Sequence, residues 1–153
     1  MEPGARIADV ERVLPHRGSM RMVERVLEWD AETISVEVRV PVDSIFHVRG
    51  GVPAHVGIEY MAQAVACWAG CQARLRGDAP PLGFLLGSRK YESRVALYPS
   101  GTRLRVEARR ELVGDNGLAV FACRILHGSE EMASANISVF EPGDAQAWLD
   151  SDA

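Results

Sequence analysis

Residues 51–70 read GVPAHVGIEYMAQAVACWAG, twenty positions in which only His55, Glu59 and Gln63 carry strongly polar side chains. The length would suffice for a membrane-spanning helix. A carboxylate in mid-span is costly, however, and no second apolar run of this kind accompanies it. The stretch therefore reads as a helix surrounded by protein on most sides. Pro53 suits the first helical position, where its missing N–H costs nothing. Gly77 follows Arg74 and Arg76, a glycine stop preceded by cations that favour a helix C-terminus. The pattern predicts one helix over 53–76, roughly 35 Å long at about 1.5 Å per residue.

On either side the period changes to two. Residues 20–29 and 33–40 read as strands joined by Asp30-Ala31-Glu32, the second with Ile34, Val36, Val38 and Val40 on one face. Upstream, 6–14 forms a short amphipathic pattern that stops at Pro15, and 41–52 is a loop containing Gly50-Gly51. Downstream of the helix, strands are expected over 83–97, 103–113, 118–126 and 132–140. Gly114-Asp115-Asn116-Gly117 makes a hairpin turn between the second and third of these. The expected order is strand, strand, long helix, then four antiparallel strands as a meander. A lone apolar helix needs a sheet curled around it, and the exposed edges of such a sheet favour dimerisation. The fold class is α+β, with one domain over 1–140 and an acidic tail over 141–153 in which Trp148 and Leu149 have the chance to dock.

Seventeen Lys and Arg against twenty-one Asp and Glu give a net charge of −4, which argues against nucleic acid as a partner. Cys67, Cys71 and Cys123 show no metal-ligand spacing and read as buried free thiols. The charged N-terminal residues do not resemble a signal peptide, so a cytoplasmic protein without membrane association is expected.

The chemistry gathers around the start of the long helix. His47 lies in the loop before it. The helix start at Pro53-Ala54-His55 offers backbone N–H groups and partial positive charge to a carbonyl or oxyanion. One turn in, Glu59 is a carboxyl on an otherwise apolar helix, where burial would raise its pKa. A His and a carboxyl beside an oxyanion donor suit proton removal next to a carbonyl and proton return elsewhere. The plainer alternative is a Glu paired with one of the many Arg residues. His55, Glu59 and Gln63, spaced i, i+4, i+8, would then form a polar stripe along a cavity or subunit contact.

Three blocks resemble one family, the hot-dog-fold 3-hydroxyacyl-[acyl-carrier-protein] dehydratases. Leu14-Pro15-His16-Arg17 followed by Met22-Val23-Glu24-Arg25-Val26 is similar to the family's LPHR opening and its DRV strand. Glu59, Met61, Ala62 and Gln63 match its EAMAQ helix signature. Residues 83–101, GFLLGSRKYESRVALYPSG, are similar to its basic strand and the Pro-Gly turn after it. The wording of the second and third blocks looks closest to dehydratases of aryl-polyene-type polyketide systems.

The resemblance implies a curved antiparallel sheet wrapped around one long central helix. It implies dehydration of 3-hydroxyacyl thioesters to trans-2-enoyl thioesters, in fatty-acid or aryl-polyene synthesis. The substrate rides on the phosphopantetheine of an acyl carrier protein, and neither metal nor redox cofactor is needed. Glu59 corresponds to the family carboxylate, and Ala54 to the position, usually Gly, whose amide holds the thioester carbonyl. The family's His stands in a Gly-His-Phe-Pro-Gly loop. Here the loop is Phe46-His47-Val48-Arg49-Gly50, two residues closer to the helix, so His47 is the first candidate base and His55 the second. Gln63 would orient Glu59, and Arg89, Lys90 and Arg94 would face the carrier protein. His16 carries no proton-transfer role in this reading. The two halves of each site would come from different subunits of a homodimer. An acyl thioesterase, or a non-catalytic acyl-binding subunit, are the competing readings on the same fold.

Overall fold

The computed structural model describes residues 10–16, 18–42, 50–79, 84–114 and 116–141. Its elements are β1 (Val23–Trp29), β2 (Thr33–Arg39), β3 (Gly51–Pro53), α1 (Gly57–Leu75), β4 (Phe84–Ser93), β5 (Leu97–Pro99), β6 (Arg103–Val113), β7 (Leu118–His127) and β8 (Glu130–Phe140). The apolar run does form one long helix, entered through a 3-10 turn at Ala54–Val56. Pro53, expected as the first helical residue, instead ends β3 and caps that turn with φ −57° and ψ 145°. At the far end Gly77 takes φ +79°, a conformation that favours glycine. Its N–H reaches the Arg74 carbonyl at 3.0 Å while the Asp78 N–H reaches that of Ala73 at 2.9 Å, closing off the last turn.

Six antiparallel strands curl around the helix in the order β1-β2-β6-β7-β8-β4. This corrects the expected meander. Strands β6, β7 and β8 do follow one another, but β4 crosses to the far edge and pairs with β8. What makes the crossing possible is β5, which pairs with β3 beside the helix start and carries the chain back to the centre of the sheet. Short connections fix antiparallel direction between neighbours; they do not fix which neighbour a strand chooses.

The core lies between helix and sheet. Met61, Ala64, Cys67 and Cys71 of α1 are fully buried, facing Val36 and Val38 of β2, Val106 of β6, Ile125 of β7 and Ile137 of β8. Burying each larger apolar side chain stabilises the fold by about 1.5–3 kcal/mol. Small helix residues let the chain approach closely: a Cβ on Gly70 would stand 1.8 Å from the Val13 carbonyl oxygen. The expected helix over 6–14 is, where described, a 3-10 turn at Val10–Arg12, with Val10, Val13 and Leu14 fully buried. Trp29 and Tyr60 are core residues, and Trp68 packs edge-on against Phe121 with ring centroids 5.3 Å apart. The three cysteines are free and buried, and burial pushes the Cys71 and Cys123 thiols up to about 12. Trp148 and Leu149 lie outside the described residues. Among the described residues, no helix is long and apolar enough to cross a membrane.

Candidate active site at the start of the long helix

Glu59 stands in the first turn of α1, and Gln63 follows one turn later on the same face. Gln63 is fully buried and its amide is saturated. Its Nε2 donates to the Met20 carbonyl at 2.6 Å and to Glu59 Oε1 at 3.1 Å, while its Oε1 accepts the Met22 N–H at 2.8 Å. The helix is thus locked to the start of β1, and one carboxylate oxygen of Glu59 is fixed by the lock. Among the described residues no hydrogen bond reaches the other oxygen. The Glu59 side chain is 34% exposed, not enclosed as its apolar neighbours suggested.

His16, set aside in the sequence as structural, comes to the carboxylate. Its Nε2 lies 3.7 Å from Glu59 Oε1, with the His side chain 30% exposed. The only sequence signal was its place in the LPHR block; no periodicity links residues so far apart in the chain.

The helix start departs from expectation in one respect. The Ala54 N–H, assigned to the thioester carbonyl, donates to the Ala96 carbonyl at 3.0 Å, extending the β3–β5 ladder by one bond. It is therefore occupied. The next N–H, of His55, begins the helical run and has no partner within the turn, whereas the Val56 N–H closes the 3-10 turn on the Pro53 carbonyl. The His55 N–H is the donor left over at the helix start. The Ala54 carbonyl accepts from the Tyr91 hydroxyl, and Tyr91 Oη lies 3.3 Å from Tyr98 Oη. The His55 side chain is exposed, so the polar stripe grades from exposed His55 through half-buried Glu59 to buried Gln63. His47 and the rest of its loop through Arg49 lie outside the described residues.

Arg89 and Lys90, on β4, are exposed and make no ion pair among the described residues; Arg94, just after it, lies 4.0 Å from Glu131. Lys90 also borders a cleft of about 730 Å³ across the sheet, lined by Ser35, Arg105, Glu107 and Arg124. That cleft contains neither Glu59 nor His16 and is separate from the helix start. Among the described residues no cluster of three or more His, Cys, Asp or Glu side chains is placed to hold a metal ion.

A curved antiparallel sheet around one central helix, with a carboxylate at the helix start, defines a hot-dog-fold protein, and solved structures agree. The dehydratase heterocomplex ApeI:P from Xenorhabdus doucetiae superposes with a TM-score of 0.82 at 26% identity, covering 92% of this chain and 95% of that one. A hypothetical thioesterase with coenzyme A from Streptococcus pneumoniae matches with a TM-score of 0.60 at 12% identity, over 78% of this chain and 85% of its own. A Streptococcus mutans protein bound to acetyl CoA gives 0.63 at 14%, over 84% and 94%. The last two share the fold alone. No curated protein matches the chain in sequence. Residues 8–150 match the model of the ApeP-like family, ApeP dehydratase, and the chain belongs to that family. It is a dehydratase of the aryl-polyene type.

Proposed function

We propose that the chain removes water from 3-hydroxyacyl thioesters carried on an acyl carrier protein, with Glu59 as the acid that protonates the leaving hydroxyl. The observation that carries this reading is the Glu59 carboxylate at the helix start, one oxygen held by Gln63 and the side chain one-third exposed. His47 takes the proton from C2 of the substrate. The thioester carbonyl accepts from the His55 N–H, which replaces the occupied Ala54 amide. Electrons from the C2–H bond form the C2=C3 double bond, the C3–O bond breaks, and Glu59 supplies the proton with which the hydroxyl leaves as water. His47 keeps its role from the family resemblance. No cofactor takes part beyond the phosphopantetheine that carries the substrate.

Two subunits complete the site in this reading. The outer edge of β4 faces no strand of the six-stranded sheet, and Leu85 and Leu86 on it are 42% and 57% exposed. A second copy pairing there would give a homodimer. The heterocomplex from Xenorhabdus doucetiae supports a related dehydratase chain as the other occupant. Native mass spectrometry of the chain alone separates the two: an active homodimer supports the first, a monomer that gains activity only with a second dehydratase chain supports the other. Arg89, Lys90 and Arg94 form the docking surface for an acidic carrier, acting mainly on association rate. Charge reversal at Arg89 should raise KM for the carrier-bound substrate and leave KM for the free pantetheine thioester unchanged. Equal effects on both substrates would overturn that assignment.

A further inference from the structure

Strand β4 breaks its ladder beside the helix start. Arg89 stands opposite Asn136 and Glu92 opposite Ser134, so three steps along β4 face two along β8. The extra residue falls at Lys90-Tyr91, and Lys90 has φ +56°, the one non-glycine residue in the left-handed region among the described residues. Nothing in a lysine side chain favours that conformation. A bulge of this kind bends a strand and re-aims the side chain that follows. Here it turns Tyr91 towards the helix, with its hydroxyl on the Ala54 carbonyl and against that of Tyr98. Tyr98 is buried, and its ring lies 6.0 Å from that of Tyr60. The two hydroxyls leave no room for a side chain at the first residue of α1: a Cβ on Gly57 would lie 2.6 Å from Tyr91 Oη and 2.8 Å from Tyr98 Oη.

We propose that Tyr91, aimed by the β4 bulge, is a positioning residue that sets the Ala54–His55 peptide and thereby the N–H of His55 that meets the thioester carbonyl. The proposal rests on the reading of the site given above. The Ala54–His55 peptide is held at its carbonyl by the Gly57 N–H of the 3-10 turn and, from the sheet side, by the Tyr91 hydroxyl, while the preceding peptide is held through the Ala54 N–H by Ala96. A hydrogen bond to a peptide carbonyl polarises the same peptide's N–H, so the Tyr91 bond both orients the His55 donor and strengthens it. Burial holds the Tyr98 phenol well above its ordinary pKa, so it stays a protonated neighbour throughout the working range. The bulge therefore couples the edge strand that carries Arg89 and Lys90 to the donor that receives the substrate.

The test compares wild type with Tyr91→Phe, Tyr98→Phe and Glu59→Gln, using a 3-hydroxyacyl thioester and ¹⁵N-labelled protein. Tyr91→Phe should lower kcat about tenfold, short of the 10²–10³ that losing a direct oxyanion donor costs, with KM changed less than about threefold. Its thermal midpoint should stay near that of wild type. Tyr98→Phe, which reaches Ala54 only through Tyr91, should lower kcat less. Binding of a 3-hydroxyacyl-pantetheine should shift the His55 amide resonance in wild type and shift it much less in Tyr91→Phe. If Glu59→Gln abolishes turnover while Tyr91→Phe keeps the wild-type kcat and His55 shift, the Tyr91 role is overturned and the site reading stands. If Glu59→Gln turns over as wild type does, the site reading fails, and the His55 resonance decides on Tyr91 alone: a shift retained in Tyr91→Phe overturns its role, a shift lost supports it.

Discussion

The centre of the sheet and its β4 edge belong to one sheet and behave differently. Strands β6 and β7 pair from Arg105 opposite Leu126 to Arg110 opposite Phe121 without a break, so Val106, Ala108, Phe121, Cys123 and Ile125 all face the helix. Strand β4 slips twice against β8, holds a lysine in a glycine-like conformation and sends a tyrosine hydroxyl to the helix start. The regular centre stores stability; the irregular edge spends some of it to aim side chains at the site. Substitutions in the two regions should therefore separate stability from turnover.

The largest effect on stability is expected at the centre. Phe121 is 1% exposed and packs on Trp68, so Phe121→Ala should cost about 3–5 kcal/mol in denaturant unfolding. The molecules that remain folded should keep nearly full kcat. A large loss of kcat per folded molecule would break the division between centre and edge.

Gln63 stands on the boundary, since the same amide secures β1 and orients Glu59. Gln63→Ala leaves the Met20 carbonyl and Met22 N–H without their partner, at a cost of about 1–3 kcal/mol, and should lower kcat as well. Unfolding and turnover measured on one preparation check both halves.

At neutral pH the smallest effect is the onset of an alkaline one, again from buried groups. Burial raises Tyr60 to about 12 and Cys71 and Cys123 likewise, above ordinary values of about 10 and about 8.5. These groups cost the fold nothing while protonated in both states. From about pH 8.5 upwards the unfolded chain loses protons that the folded chain keeps, so stability should fall as pH rises towards 12. Urea midpoints across that range should decline, and Cys123→Ala should flatten the slope.

Much of the centre was legible because its pattern is local. Alternation over 103–113 places Leu104, Val106 and Ala108 on the buried face, as they are found. The glycine stop at Gly77 and the Asp30 turn are likewise short-range: the Asp30 carboxylate accepts the N–H groups of Glu32 and Thr33, which holds its pKa below the usual range. The edge was not legible for the opposite reason. Strands β3 and β5 are three residues each, too short for a period, and their pairing decides both that Ala54 N–H is occupied and that β4 lies at the far edge. Lys90 carries no signature of a left-handed residue. Within the site, Glu59 and Gln63 were readable as neighbours on one helix face, whereas His16 meets Glu59 only through tertiary packing.

The proposed reaction places dehydration on Glu59 at the helix start. The direct measurement is the mass of a 3-hydroxyacyl carrier protein incubated with the wild-type chain and with Glu59→Gln. Wild type should remove one water, and Glu59→Gln should do so at a rate lower by about 10²–10⁴, at unchanged folding stability. Water lost at equal rates by both proteins, or loss of the acyl group in place of water, would contradict the proposed reaction.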